Sequence, residues 1–512
     1  MPPSLFADPP SGAPQSGAGL LFEKKILPGA SFQHEETIMS QGQDTASLAY
    51  DPNRRAFMRM LAASAAAAGP LSGLAVSRAS AQGASASTQL ALKDDAAFWG
   101  DVRKLFEQKP GVRYMNIGTA GSMPVESLNT LDAESRKAAR ESLSGYSNFL
   151  AQRKAIAAGY GCDADELVMS GNTSDGMCHA LLGLVWHPGD EIVTTNHEHP
   201  GGNVPMALLQ DRFGVVIKRV TLPVGNKQRA EDYVDLFSAA IGPKTKAMVF
   251  SAPTYKTGTM LPVGMLAKLA QEKGIVSICD GAHIPGMLNA NFREMGVDFL
   301  AGAGHKWQCG PLGTGILYIR NKVLPQFNPR PLPAYFPLVT SNYPLTGGLP
   351  PRTTNEKETD DIAARIQSTG SRNGPVYLAL AKSCEAWDRI GRAKIEAYTV
   401  GMSQHLKEKI AEKWGVDSLY SPKDDPRLAC ALTAFNPFRN PDQVMDKARS
   451  DQFVKRMLDE YGFVIRNVNF PVPGAPKDHY GVRVSTHLWS NYDDVNQLVD
   501  AMWELSGKMN AS

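Results

Sequence analysis

From about residue 160 the chain alternates short runs of consecutive apolar, often β-branched positions with longer stretches whose apolar positions return every three or four residues. The runs at 166–170, 191–195, 215–222, 247–251, 275–279, 299–301 and 315–319 predict strands. They are continuously apolar rather than alternating, which points to a mostly parallel sheet covered on both faces. Segments between them, such as 173–186 and 265–273, predict helices, the second closed by Gly274 as a C-cap. Strand–helix alternation of this kind places the chain in the α/β class. After about residue 376 the pattern changes to long amphipathic helices, 376–392 and 393–414, with fewer strands, and predicts a smaller α+β domain. Positions 326–362 are rich in Pro, Gly and Thr and predict a long loop, a length often associated with function.

The first 90 or so residues lack this order. Positions 1–52 are rich in Ser, Gly, Pro and Gln and predict a disordered extension. Asn53-Arg54-Arg55-Ala56-Phe57-Met58-Arg59 then precedes an Ala-rich apolar run broken by Gly69-Pro70, too short and too weakly apolar for a membrane span. The run ends at Ala79-Ser80-Ala81, a small-x-small cleavage signal. Together 53–81 resemble a twin-arginine export signal, and Met39 as the start would give a leader of ordinary length. The resemblance implies a periplasmic or secreted protein, exported folded and with no membrane anchor after cleavage.

A length of 512 residues exceeds what one compact core usually holds, so two domains or one large unit with an added lobe are expected. With 43% hydrophobic and 20% charged residues the chain is neither wholly disordered nor fibrous. A net charge of +2 and the lack of a basic patch give no reason to expect nucleic acid as a partner. The six cysteines are scattered, without C-x-x-C or metal-ligand spacing, so no metal site is expected.

The chemistry concentrates in four segments. Ala301-Gly302-Ala303-Gly304-His305-Lys306-Trp307 places a lysine between a strand end and a Gly-rich turn, where a desolvated amine can join an aldehyde. Twenty-six residues earlier, Cys279-Asp280-Gly281-Ala282-His283 sets a carboxylate at a buried strand end, where it needs a cationic partner. Ser170-Gly171-Asn172-Thr173-Ser174-Asp175-Gly176 is a strand–turn–helix junction, a natural phosphate cradle. Asn196-His197-Glu198-His199-Pro200 follows another strand end and offers a flat side chain for stacking.

In this order the segments resemble the class V aminotransferase family of fold-type I pyridoxal 5'-phosphate enzymes, over most of 112–505. The Asp-Gly-Ala-His and His-Lys-Trp forms are closest to its isopenicillin-N-epimerase-like branch. The resemblance implies pyridoxal 5'-phosphate as cofactor, Lys306 as the Schiff-base lysine, Asp280 on the pyridine nitrogen, His283 on the ring hydroxyl and His199 stacked on the ring. It implies Thr173, Ser174 and His305 as phosphate contacts. Ser368-Thr369-Gly370-Ser371-Arg372 resembles a loop that lends Ser371 to the neighbouring subunit's phosphate, so a homodimer is implied. Val482-Arg483-Val484-Ser485 resembles the C-terminal segment whose arginine binds a substrate carboxylate, and Asn116 is expected at the site's mouth. On this basis 82–130 is an N-terminal segment of the small domain, 131–375 the large cofactor-binding domain and 376–512 the small C-terminal domain.

The implied function is epimerisation or transamination at Cα of an amino acid or amino-acid-like metabolite. One alternative is tailoring of a secreted peptide such as a siderophore. Cysteine desulfuration is disfavoured, because 462–482 carries no loop cysteine. A non-enzymatic role is disfavoured by the presence of both Lys306 and Asp280.

Overall fold

The strands, in chain order, are β1 (Arg113–Tyr114), β2 (Leu167–Ser170), β3 (Glu191–Thr195), β4 (Val216–Val220), β5 (Thr245–Ser251), β6 (Val276–Asp280), β7 (Phe299–Ala303), β8 (Gly315–Ile319), β9 (Leu432–Phe435), β10 (Phe463–Val464), β11 (Arg466–Phe470) and β12 (His479–Ser485). The computed structural model describes residues 95–342, 361–472 and 475–510. The expected extension and leader, and the 343–360 part of the expected loop, lie outside them.

Seven strands form one sheet in the order β2-β8-β7-β6-β5-β3-β4. It is parallel from β4 through β7, while β8 runs antiparallel to both its neighbours. Every residue of β2, β6, β7 and β8 is buried, as continuous apolar runs require when helices cover both faces. The edge strand β4 is the exception: it carries Lys218 and Arg219 and is partly exposed.

Two helices begin just beyond strand ends, after β2 and β3. Thr173–Leu182 is capped by Asn172, whose side chain accepts from the Asp175 amide. Pro200–Phe213 is capped by His199 and stops at Gly214 in a left-handed conformation. The first helix ends four residues before the expected boundary at 186. Gly183 packs so closely on Tyr335 that a Cβ would lie 2.5 Å from the ring, and Leu184 leaves the helix to bridge Tyr335. The helix Val263–Lys273 does end at Gly274, with φ +74°.

C-terminal to these lie the helices Gly374–Ile390 and Arg392–Trp414, then an antiparallel sheet β11-β12-β9 against which Lys447–Tyr461 and Arg392–Trp414 pack, with Tyr492–Asn510 packed on those two helices. The N-terminal segment joins this region: β1 pairs parallel with β10, and Asn116 bridges Ser485. Met115 and Ile117 are buried in the same apolar cluster as Leu432, Val482 and Val484. The described residues fall together in one compact unit.

Candidate active site

The candidate residues follow the C-terminal ends of β2, β3, β5, β6 and β7, which share one edge of the sheet. That edge is where open α/β sheets bind ligands. After β2, Gly171 N–H donates to Asp175 Oδ2 at 2.8 Å and fixes the turn, which leaves Thr173 at the first helical position. The Thr173 hydroxyl is buried and has no hydrogen-bond partner among the described residues. After β3, His199 Nδ1 accepts from Gly201 N–H at 3.0 Å. A Cβ on Gly201 would lie 2.3 Å from Ser174 Oγ and 3.2 Å from His199 Nδ1, so the starts of both helices converge on this spot. The N-terminus of the Thr173–Leu182 helix and the Thr173 and Ser174 hydroxyls make a site for an anion, whereas the first amides of the second helix are already taken by His199. His305 adds a ring whose Nδ1–H donates to the Thr314 carbonyl at 3.1 Å, which leaves Nε2 free.

The β3 turn is anchored from below. Glu198, which sequence reasoning passed over, is buried and accepts from Thr195 Oγ1 (2.6 Å), Ser251 Oγ (2.6 Å) and Ser251 N (3.1 Å). Burial, with the nearby Asp280 charge adding to it, pushes its carboxyl up to about 7. It ties the ends of β3 and β5 together and fixes where His199 stands. The only signal for it was the Glu-His dipeptide. Desolvation in the cleft, then the charges of Lys306, Arg466 and Arg483, hold His199 down to about 4, so its ring is neutral.

Asp280 ends β6 at 3% exposure, and its carboxylate accepts one hydrogen bond, from Ala282 N–H at 3.1 Å. No cation pairs with it directly among the described residues; burial raises its pKa and the charge of Lys306 opposes that. His283 is buried, and its Nδ1 accepts from Trp307 Nε1–H at 3.0 Å. An indole nitrogen can only donate. The neutral imidazole must therefore carry its proton on Nε2, which is buried without a partner among the described residues. Burial, then the charges of Lys306 and Arg483, keeps the ring neutral. The site thus presents a carboxylate in need of a cation and an N–H in need of an acceptor.

Lys306 follows β7. Burial lowers its amine to about 8, with Arg483 and Arg466 adding to the effect and Asp280 opposing it. Its loop is held by the N-terminal segment: Gly121 N–H donates to the His305 carbonyl at 2.8 Å. A Cβ on Gly121 would lie 2.4 Å from the Lys306 carbonyl oxygen, so only glycine fits this approach.

Arg483, on β12, is 1% exposed. Its Nη1 donates to the Tyr255 carbonyl at 2.7 Å, whereas Nε and Nη2 have no partner among the described residues. A buried guanidinium with two unpaired groups is costly unless an anion binds it. Gly118 lies between Arg483 and His283, with an added Cβ 3.0 Å from Nη2 and 3.3 Å from the imidazole, and its N–H donates to Ser485 Oγ at 3.1 Å. This places the Asn116–Gly118 segment beside the arginine; Asn116 itself accepts from Thr119 Oγ1 at 3.0 Å. Sequence reasoning also missed Arg466, which lies directly opposite Arg483 across β11–β12. Ser371 is not brought to the cradle by any of its hydrogen bonds: its exposed hydroxyl accepts from Gly145 N–H at 2.9 Å.

The sequence model of the aminotransferase class-V family matches residues 128–498. The chain is 24% identical over 427 residues to the isopenicillin N epimerase of Amycolatopsis lactamdurans, covering 80% of this chain and 99% of that protein. It is 26% identical over 368 residues to a probable cysteine desulfurase of Methanothermobacter thermautotrophicus, 69% of this chain and 83% of that one. Among solved structures, it is similar to the apo cysteine desulfurase of Thermococcus onnurineus NA1, with a TM-score of 0.61 at 20% identity over 80% of this chain and 98% of that one. This likeness shows the fold, the fold-type I arrangement expected from the sequence.

Proposed function

Because the chain belongs to the aminotransferase class-V family, we propose that it is a pyridoxal 5'-phosphate enzyme that moves a proton at Cα of an amino acid or amino-acid-like amine. The observation that carries the reading is the set of unmet needs at one sheet edge: a carboxylate without a cation, an N–H without an acceptor, and a lysine held close to neutrality. These needs match a protonated pyridine nitrogen, a ring oxygen and an aldehyde. When bound, the cofactor supplies an electrophilic carbonyl and a ring that withdraws electrons from Cα.

Asp280 would hold the proton on the ring nitrogen, and His283 Nε2–H would donate to the ring oxygen. The hydroxyls of Thr173 and Ser174 and the N-terminus of the Thr173–Leu182 helix would hold the phosphate. His199, fixed through Gly201 and Glu198, would lie against the ring. Lys306 Nζ, with its amine lowered to about 8, can both take and return a proton near neutral pH. Arg483 offers Nε and Nη2 to the substrate carboxylate as a bidentate pair.

Persulfide chemistry finds less support. Desulfuration needs an accessible thiolate, and burial pushes the Cys430 thiol up to about 11 and holds Cys309 well above its ordinary value. Epimerisation is favoured over transamination by the leader: keto-acid acceptors are scarce outside the cytoplasm, and an epimerase needs none. Export by the twin-arginine route is part of the proposal, and an Arg54→Lys, Arg55→Lys double variant retained in the cytoplasm would support it; normal export would refute it.

The function is tested by borohydride reduction of the purified protein, followed by peptide mass analysis. The cofactor mass should appear on the Lys306 peptide and vanish, with turnover, in Lys306→Ala. An adduct on another lysine would overturn the assignment.

A further inference from the structure

Arg466 and Arg483 are register partners in the antiparallel pair β11–β12. Side chains directly opposite one another leave the sheet on the same face, with Cβ atoms about 5 Å apart, and like charges in that position are destabilising. Arg483 faces the candidate site, where it contacts the Tyr255 carbonyl and lies against Gly118. Arg466 therefore faces it as well. Neither arginine has a carboxylate partner among the described residues, and the Arg466 side chain donates no hydrogen bond there. The two differ in depth: Arg483 is buried, whereas Arg466 is exposed at the mouth. Lys256 adds a third cation, 5.7 Å from the centre of the Tyr255 ring. The acid whose charge reaches Lys256 is Asp478, and that carboxylate is taken by Asn469 at 2.7 Å. The two arginines thus have no carboxylate partner of their own among the described residues, and Asp478 offsets only the charge of Lys256.

We propose that Arg466 is a second anion-binding residue of this site and that the preferred substrate carries a second carboxylate in its side chain. The inference rests on the reading that Arg483 holds the α-carboxylate. Arg483 has one unpaired edge, enough for one carboxylate in a bidentate grip. Arg466 keeps all five of its N–H groups for another anion nearer solvent. A dicarboxylic amine would span the two and relieve the repulsion between them. A neutral side chain would leave that repulsion in place, so the pair selects by charge as well as by contact.

The test uses the holoenzyme and isothermal titration calorimetry with glutarate and with glutaramate, in which one carboxylate is an amide. Neither has an amine, so both report binding without turnover. Glutarate should bind about tenfold more tightly, the scale of hydrogen bonds to a charged group. Arg466→Gln should erase that preference by weakening glutarate far more than glutaramate. Arg466→Lys should keep part of it, which guards against a folding defect, and Arg483→Gln should weaken both ligands. Equal affinities in the wild type would overturn the inference. So would an Arg466→Gln variant that weakens both ligands alike, because the two arginines would then share one carboxylate. If no carboxylate bound the wild type and Arg483→Gln changed nothing, the reading of Arg483 would fall instead.

Discussion

At the scale of single residues the site is defined by what its groups lack. Lys306 is held near 8 because burial penalises the ammonium and Arg483 and Arg466 repel it. An ordinary lysine is half neutral only at about 10.4. The rate at which cofactor-free protein captures pyridoxal 5'-phosphate, followed by stopped-flow absorbance, should therefore rise to about pH 8 and level off there. A rate that kept climbing toward pH 10 would mean a solvated lysine. The same shift has a sign for stability. Between about 8 and the ordinary lysine value the unfolded chain binds more protons than the folded one, so stability rises with pH across that window, and Lys306→Met should flatten the rise. Asp280 makes a separate test. Asp280→Asn preserves size and can still hydrogen-bond, but it removes the charge that favours a protonated ring. An opposite charge at short range shifts a pKa by about 1–3 units, so turnover should fall by roughly 10- to 1000-fold while the cofactor stays bound. Near-normal turnover would reduce Asp280 to a turn-stabilising residue.

At the scale of elements, the sequence was legible where burial is two-sided. β5, β6, β7 and β8 were recognisable as continuous apolar runs because each is covered on both faces. Asp280 and His283 at the end of β6 and Lys306 after β7 stand at the same edge of the sheet as Thr173 after β2 and His199 after β3. The antiparallel β11 and β12 were not legible. β11 reads Arg-Asn-Val-Asn-Phe and buries only Val468 and Phe470, so its apolar signal is weak, and β10 is two residues long. Missing β11 meant missing Arg466, because its importance comes from register with Arg483 and not from its own neighbours in sequence. Glu198 was missed for a related reason: its partners Thr195 and Ser251 come from two strands. The role of Gly121 was equally hidden, since its close approach to the Lys306 carbonyl joins segments 185 positions apart.

At the scale of the whole molecule, completing the cradle is a matter of one chain or two. The turn after the helix Val125–Glu141 exposes Leu143 (53%), Tyr146 (73%) and Leu150 (41%) within eight positions. Monomeric proteins rarely leave such side chains clustered unless something covers them. The turn is joined to the Ser371 loop: Gly145 N–H donates to Ser371 Oγ, and Arg372 N–H donates to the Gly145 carbonyl at 3.1 Å. An isologous dimer buries the same patch on both copies. It would carry each Ser371 loop toward the other chain's cradle, as the family resemblance implies. Tyr146→Asp places a charge at the centre of the patch and touches nothing in the candidate site. Light scattering should report a dimer for the wild type and a monomer for Tyr146→Asp, and the monomer should bind pyridoxal 5'-phosphate at least about tenfold more weakly, the cost of losing one charge-assisted contact. A monomeric variant with undiminished cofactor affinity would show that Thr173, Ser174 and the N-terminus of their helix suffice, and that Ser371 serves only the turn it holds.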